Sequence, residues 1–128
     1  MAHILVIDDN YSFRIALRTV LQELGHTVID AGNGIHGCRL AAAQPVDVVL
    51  TDLFMPEKDG IEIIRELRRD KSALKIVAMS GGSRFAGRDF LRVAQQLGAA
   101  RTLAKPFSLA ELTDAIDAVT REPAPATP

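Results

Sequence analysis

Short apolar runs alternate with longer amphipathic stretches along the chain, and this alternation constrains the fold more than any other sequence feature. Three runs are clear, at residues 4–7, 46–50 and 76–79, and only Asp47 interrupts them. Two weaker runs lie at residues 27–29 and 102–104. Short runs that do not alternate polar with apolar residues are typical of strands covered on both faces. They predict a parallel sheet.

The stretches between the runs have the spacing of amphipathic helices. In the first, apolar residues recur every three or four positions over residues 13–24, and Gly25 is placed to end the helix. The third and the last begin at Asp59 and Ser108, each followed three residues later by a glutamate, which is a capping-box pattern. The two remaining predicted helices are residues 35–43 and 90–97.

Five βα units in succession predict an α/β fold, a doubly wound parallel sheet of five strands with helices on both faces. We expect the flavodoxin-like strand order 2-1-3-4-5, in which strands one and three are neighbours. Ligands of such sheets bind beyond the carboxyl ends of the strands, where the strand order reverses. The residues that follow each strand are therefore the first place to look for chemistry.

Polar residues stand at four of these strand ends. Asp8 and Asp9 follow the first strand, Asp52 ends the third, Ser80 ends the fourth and Lys105 follows the fifth. Three clustered carboxylates repel one another, and a hard cation with oxygen ligands relieves the repulsion. Mg²⁺ fits best, because it needs only one or two carboxylates beside water and a phosphate oxygen. The ammonium of Lys105 supplies a second positive charge.

This set of groups is sufficient for phosphoryl transfer to a carboxylate. Such transfer depends mainly on positioning and on neutralising charge. A carboxylate nucleophile forms a covalent aspartyl phosphate in known enzymes. The strand ends thus predict a metal-assisted phospho-acceptor site.

The sequence also contains six short motifs: Ile7-Asp8-Asp9, Asp52-Leu53-Phe54-Met55-Pro56, Asp59-Gly60, Ser80-Gly81, Gly98-Ala99 and Lys105-Pro106-Phe107. With them the sequence resembles the receiver domains of response regulators, the CheY-like family, over about residues 3–121. The resemblance implies a signalling switch rather than an enzyme, one that supports only its own phosphorylation and dephosphorylation.

The resemblance also assigns roles to the acids. It implies that Asp52 is phosphorylated and that Asp9 binds Mg²⁺ directly, with Asp8 assisting mainly through water. The backbone carbonyl of Phe54 and the carboxylate of Asp52 would complete the protein ligands of the metal.

The remaining implications concern the phosphoryl group and the partners. Ser80 would hydrogen-bond the phosphoryl group, and Lys105 would pair with it, next to a typically cis Lys105–Pro106 bond. The phosphoryl donor would be a histidine kinase or a histidine phosphotransfer protein in the cytoplasm. The output would be contact with a downstream protein target that the sequence does not identify.

Two features depart from the pattern of the family. Thr102 occupies a position, three residues before the lysine, where receivers usually carry an aromatic ring. The glycine-rich stretch of residues 81–87 makes the segment after Ser80 longer than usual, and Phe85 is a candidate moving part in place of the missing ring. Gly81 and Gly82 are expected to leave the site open to the phosphohistidine of a partner and without a side chain that positions water.

Composition limits the classes of function. The 128 residues are 48% hydrophobic with a net charge of −1, which suits one globular domain and gives no basic footprint for nucleic acid or for an anionic membrane. No apolar run approaches the length of a membrane helix. The single cysteine, Cys38, is interpreted as a small buried apolar residue in a reducing cytoplasm. The arginines of two helices are interpreted as solvated charges: Arg14, Arg65, Arg68 and Arg69.

Three alternatives remain beside the leading hypothesis. A metal-dependent phosphatase with an aspartyl nucleophile usually has a second acid two residues later, where this chain has Phe54. A flavin-binding electron carrier needs a loop rich in Ser, Thr and Gly after the first strand, where this chain has two acids. The third alternative is a receiver cut from a longer regulator. We expect one receiver domain over residues 1–121, followed by a Pro/Ala-rich tail or linker stub at residues 122–128.

Overall fold

A computed structural model describes residues 1–71, 73–81 and 87–121. It contains five strands: β1 His3–Ile7, β2 Thr27–Ala31, β3 Val48–Asp52, β4 Lys75–Ser80 and β5 Arg101–Ala104. Five helices alternate with them: α1 Tyr11–Glu23, α2 Gly34–Ala43, α3 Gly60–Asp70, α4 Gly87–Leu97 and α5 Leu109–Arg121. The predicted order of elements is confirmed.

The strands form one parallel sheet in the order β2-β1-β3-β4-β5, as predicted. The third strand starts two residues later than expected, because its ladder with β1 begins at the pair of Ile4 and Val48. Asp47 lies just before the ladder, where its carboxylate accepts a hydrogen bond of 2.8 Å from the His3 N–H. Asp52 is the last residue of β3, as predicted.

Two apolar clusters, one on each face of the sheet, explain why the strands do not alternate polar with apolar residues. Along β1, Ile4 and Val6 belong to the cluster beneath α1 and α5, and Leu5 and Ile7 to the cluster beneath α2 and α3. All four side chains are at most 1% exposed. Burying an aliphatic side chain contributes about 1.5–3 kcal/mol, so each central strand is stabilised from both sides.

The helix starts carry the expected caps and two further ones. Asp59 accepts a hydrogen bond from the Glu62 N–H at 3.0 Å. Ser108 and Glu111 form a complete capping box, each side chain accepting from the backbone N–H of the other at 3.0 and 3.1 Å. The caps that the sequence analysis missed are Asn10 at α1 and Asn33 at α2. Both asparagines precede helices whose apolar periodicity is the stronger sequence signal.

The interpretation of the arginines is wrong for two of the four. Arg14 is ion-paired and only 13% exposed. Arg68 donates a hydrogen bond to the Leu74 carbonyl, and burial lowers its pKa. Its stem packs where a Cβ atom on Gly98 would lie 2.8 Å from Arg68 Cδ. Helix periodicity places both residues beside polar neighbours, and only the tertiary packing shows that a second element covers them.

Cys38 is buried, as expected, and burial raises the pKa of its thiol to about 11. Within the described ranges, no helix combines the length and the apolar character that are needed to cross a membrane. The interpretations of Gly82 and Phe85, and the predicted tail at residues 122–128, lie outside the described residues.

Candidate functional site

Three carboxylates meet at the carboxyl edge of the sheet. Because β1 and β3 are neighbours, Asp8 and Asp9 come to lie beside Asp52. One carboxylate oxygen from each residue lies within 4.8 Å of those of the other two. Asp8 and Asp52 are buried, whereas Asp9 is exposed. The structure therefore brings together the acids that the strand-end rule selected, with one of them open to solvent.

The ammonium of Lys105 bridges the two buried acids. Its Nζ lies 2.6 Å from Asp8 Oδ2 and 3.4 Å from Asp52 Oδ2. The same Nζ lies 4.2 Å from the centroid of the Phe13 ring, which is cation–π distance. Phe13 in turn meets Phe107 edge to face, with 5.9 Å between the ring centroids. Lys105 is thus held over an aromatic platform that α1 contributes.

Gly81 has a role that the sequence analysis missed. A Cβ atom at this position would lie 2.4 Å from Lys105 Cβ, closer than packed atoms approach. The backbone of the two residues is also close, because the Lys105 N–H donates to the Ser80 carbonyl at 2.8 Å. Glycine at this position therefore lets the stem of Lys105 pass beside β4 and reach the acids. No pattern in the sequence indicates this contact between Gly81 and Lys105.

Asp52 is only 7% exposed and has groups of both signs around it. Its Oδ1 accepts a hydrogen bond of 3.3 Å from the Phe54 N–H. Burial raises the pKa of Asp52, Lys105 opposes that rise and the charge of Asp8 adds to it, with the net shift upward. A carboxylate whose charge is costly to bury gains free energy when a cation or a phosphoryl group joins it.

This shift predicts a pH dependence of stability. Because the pKa of Asp52 is raised in the folded state, the folded protein binds the proton more tightly than the unfolded chain. Metal-free protein should therefore lose stability as pH rises from the ordinary aspartate pKa through the raised one. Asp52→Asn should make the metal-free protein more stable at neutral pH, and the gain should vanish in acid. Urea unfolding of both proteins at the two pH values measures this.

The matched control is Asp70, which is exposed and whose pKa is lowered by its hydrogen bond with Arg69. Asp70→Asn should slightly reduce stability at neutral pH, which is the opposite sign. Equal effects of the two substitutions at neutral pH would contradict the conclusion that burying the charged Asp52 carboxylate destabilises the metal-free protein.

Ser80 adds an unpartnered donor. It is 4% exposed, and its Oγ has no hydrogen-bond partner among the described residues. Leaving such a group unpaired costs about 1–3 kcal/mol. An incoming oxygen ligand at the end of β4 would remove that cost. Together with three oxygen-bearing acids, this orphaned hydroxyl fits a site built for a hard divalent cation and a phosphoryl group.

Asp8 and Asp9 differ in their contacts and in their exposure to solvent. Asp8 Oδ2 is engaged by Lys105, and its Oδ1 accepts a hydrogen bond of 2.9 Å from the Asn10 N–H. The exposed carboxylate of Asp9 remains the more accessible of the two. Phe54 is half-buried and packs on the core cluster beneath α2 and α3. The ligand role of its carbonyl stays a prediction.

Comparison with known proteins agrees with this geometry. A family model described as the response regulator receiver domain matches residues 4–117. Sporulation initiation phosphotransferase F of Bacillus subtilis is 31% identical over 113 residues, 88% of this chain and 89% of that protein. A probable chemotaxis protein CheY of Rhizobium etli is 35% identical over 120 residues, 91% of this chain and 90% of that protein.

A solved structure shows the same architecture. The response regulator protein TrrA of Thermotoga maritima, in complex with Mg(2+)-BeF, superposes with a TM-score of 0.81 at 28% identity. The match covers 93% of this chain and 99% of that one. The likeness includes the five-stranded parallel sheet at whose edge the acids lie.

Proposed function

This chain belongs to the response regulator receiver domains of two-component signalling, and we propose that it switches by accepting a phosphoryl group on Asp52 with the help of Mg²⁺. One observation carries the proposal. Three carboxylates with oxygens within 4.8 Å of one another share an edge of the sheet with the Lys105 ammonium. The proposed unit of function is residues 1–121.

Asp52 is the acceptor that the contacts favour among the three acids. The two oxygens of Asp8 are held by contacts of 2.6 and 2.9 Å, whereas those of Asp52 have longer contacts of 3.4 and 3.3 Å. Asp9 lies on the exposed turn after β1. Asp52 ends a central strand that is buried on both faces, which fixes its position. In the transfer, an Asp52 oxygen forms a bond to phosphorus while the bond from phosphorus to the donor nitrogen or oxygen breaks. The donor leaves with that electron pair.

The proposed metal ligands are those that the resemblance to receiver domains implies. Asp9 and Asp52 would bind Mg²⁺ directly with the Phe54 carbonyl, and Asp8 would act through water. The close contacts of both Asp8 oxygens, at 2.6 and 2.9 Å, support its indirect role. When bound, the ion neutralises charge on the transferring phosphoryl group. The Thermotoga relative, whose structure is described as a complex with Mg(2+)-BeF, supports the choice of metal.

Two further side chains serve the phosphoryl oxygens. Lys105 is already 3.4 Å from Asp52 Oδ2, so it needs only a small movement to pair with an oxygen on that residue. The Ser80 hydroxyl, which is buried and unpartnered among the described residues, would donate to a second oxygen. Such preorganised donors act in a low-dielectric site, where each is worth more than in water.

The proposal also covers partners and setting. The phosphoryl donor is a histidine kinase or a histidine phosphotransfer protein, and the output is contact with a downstream protein. The protein catalyses no reaction beyond its own phosphorylation and dephosphorylation. The single thiol, Cys38, is compatible with a reducing compartment, and we place the chain in the cytoplasm.

Incubation with acetyl phosphate tests the proposal. In the presence of Mg²⁺, wild-type protein is expected to gain the mass of one phosphoryl group, as read by intact mass spectrometry. Chelation of the metal should reduce the gain at least about tenfold, because the carboxylates then repel the donor. Asp70 is an exposed acid at the far end of α3, and the variant Asp70→Asn should behave as wild type. The absence of any gain would overturn the proposal.

A further inference from the structure

We propose that Arg14 is a positioning residue for the metal site. Arg14 holds the turn that carries Asp8 and Asp9 at a fixed distance from β2. Its partner on that strand is Asp30. The inference rests on the proposed Mg²⁺ site. It concerns a residue of α1 whose side chain is not among the proposed ligands.

The guanidinium of Arg14 contacts β2, the turn after β1 and the first residue of its own helix α1. Its Nε donates to Asp30 Oδ2 at 2.7 Å, and its Nη1 donates to the Asp8 carbonyl at 2.8 Å. The two charged side chains are 13% and 12% exposed. The guanidinium carbon lies 5.3 Å from the centroid of the Tyr11 ring, and a Cβ atom on Gly32 would lie 3.1 Å from Nη1. The guanidinium is therefore confined on several sides.

The carbonyl that Arg14 binds is the one that orients Asp9. The Asp8 N–H donates to the Ala31 carbonyl at 3.2 Å, one residue beyond the paired strands β1 and β2. The Asp8 carbonyl and the Asp9 nitrogen and Cα share one peptide plane, because the peptide bond is planar. Fixing that carbonyl fixes the plane from which the exposed Asp9 side chain projects. Arg14 thereby adds a constraint from α1 beside the ladder between β1 and β2.

Charge and position predict opposite effects, which makes the inference testable. If Arg14 acted only as a nearby positive charge, its removal would strengthen the binding of a cation. If it positions the acid pair, its removal weakens that binding. An arginine-to-lysine change separates the two further, because lysine keeps the charge but lacks the planar fork that reaches two acceptors at once.

The experiment compares Arg14→Met, Arg14→Lys and the control Arg18→Met by isothermal titration with Mg²⁺. Arg18 is 40% exposed and pairs with the other oxygen of Asp30, so its loss removes an ion pair of Asp30 without freeing the Asp8 carbonyl. Urea unfolding without metal shows which variants fold and how stable they are. A merely structural role would lower that stability and leave the Mg²⁺ affinity of the folded protein unchanged.

We expect both Arg14 variants to bind Mg²⁺ about tenfold more weakly, the usual effect of removing an outer-shell partner. Arg18→Met should change the affinity by less than about twofold. Unchanged or tighter binding in Arg14→Met, or wild-type affinity in Arg14→Lys, would overturn the inference and leave the proposed function standing. Failure of wild-type protein to bind Mg²⁺ at all would overturn both.

Discussion

Replacing Lys105 by methionine is expected to lower the free energy of unfolding of the metal-free protein by about 3 kcal/mol, the scale for breaking a buried ion pair. The reason is the acid it leaves behind. The Asp8 side chain is 0% exposed, and Lys105 Nζ, 2.6 Å away, is the cation paired with it among the described residues. Urea unfolding without metal measures the loss. Addition of Mg²⁺ should recover part of it, because the ion replaces the missing positive charge.

A double substitution identifies the cause of that loss. Lys105→Met combined with Asp8→Asn should be more stable than Lys105→Met alone by at least about 1 kcal/mol, since the uncompensated charge is gone. The exposed pair of Arg69 and Asp70 gives the control, and Arg69→Met should leave stability nearly unchanged, because exposed ion pairs contribute little. If the double variant were no more stable than the single one, lost packing against Phe13 would explain the effect instead of charge.

Replacing Asp9 by asparagine is expected to weaken Mg²⁺ binding about a hundredfold, because Asp9 is a proposed direct ligand of the ion. Loss of a residue that only supports a ligand costs about 10–100-fold, so loss of a ligand should cost at least as much. Asp9 is the exposed member of the acid cluster. The substitution should therefore change metal-free stability by less than about 0.5 kcal/mol. Isothermal titration measures the affinity, and the rate of phosphorylation by acetyl phosphate should fall with it.

Asp70→Asn is the matched control for the metal measurement. It makes the same change of charge at the end of α3. That helix starts just after the carboxyl edge of β3, so its last residue lies far from the acids. Equal weakening in both variants would show that net charge sets the affinity, and it would remove Asp9 from the proposed ligands.

The fold was predictable because its strands are buried from both sides. Ile4 to Ile7 in β1 and the aliphatic residues of β4 need two covering layers, and only a sheet with helices on both faces supplies them. The register was less predictable. Val46 belongs to the same apolar run as Val48, yet the ladder with β1 begins at Val48, because pairing is set by the partner strand.

The site was predictable where it depended on strand ends alone. Topology brings Asp8, Asp9 and Asp52 together whatever the details of packing, because β1 and β3 are neighbours. The approach of Lys105 to the same acids follows from the sequence rule as well. Its 2.6 Å contact with Asp8 places one positive charge beside the buried acids.

The remaining features depended on contacts between side chains of different elements. Phe13 was recognised as an apolar residue of α1, but its place beneath the Lys105 ammonium depends on how α1 crosses the sheet. Arg14 lies on the same helix, and nothing in its sequence neighbourhood distinguishes it from the exposed Arg65. The need for glycine at Gly81 arises from a side chain that lies 24 positions later in the chain, at Lys105.

The most direct test of the central claim is to locate the phosphoryl group. Wild-type protein treated with acetyl phosphate and Mg²⁺ is reduced with borohydride, which converts an acyl phosphate to an alcohol, and is then mapped by peptide mass spectrometry. The account predicts homoserine at position 52 and nowhere else, with no product in Asp52→Asn. Reduction at Asp8 or Asp9, or a product that persists in Asp52→Asn, would contradict it.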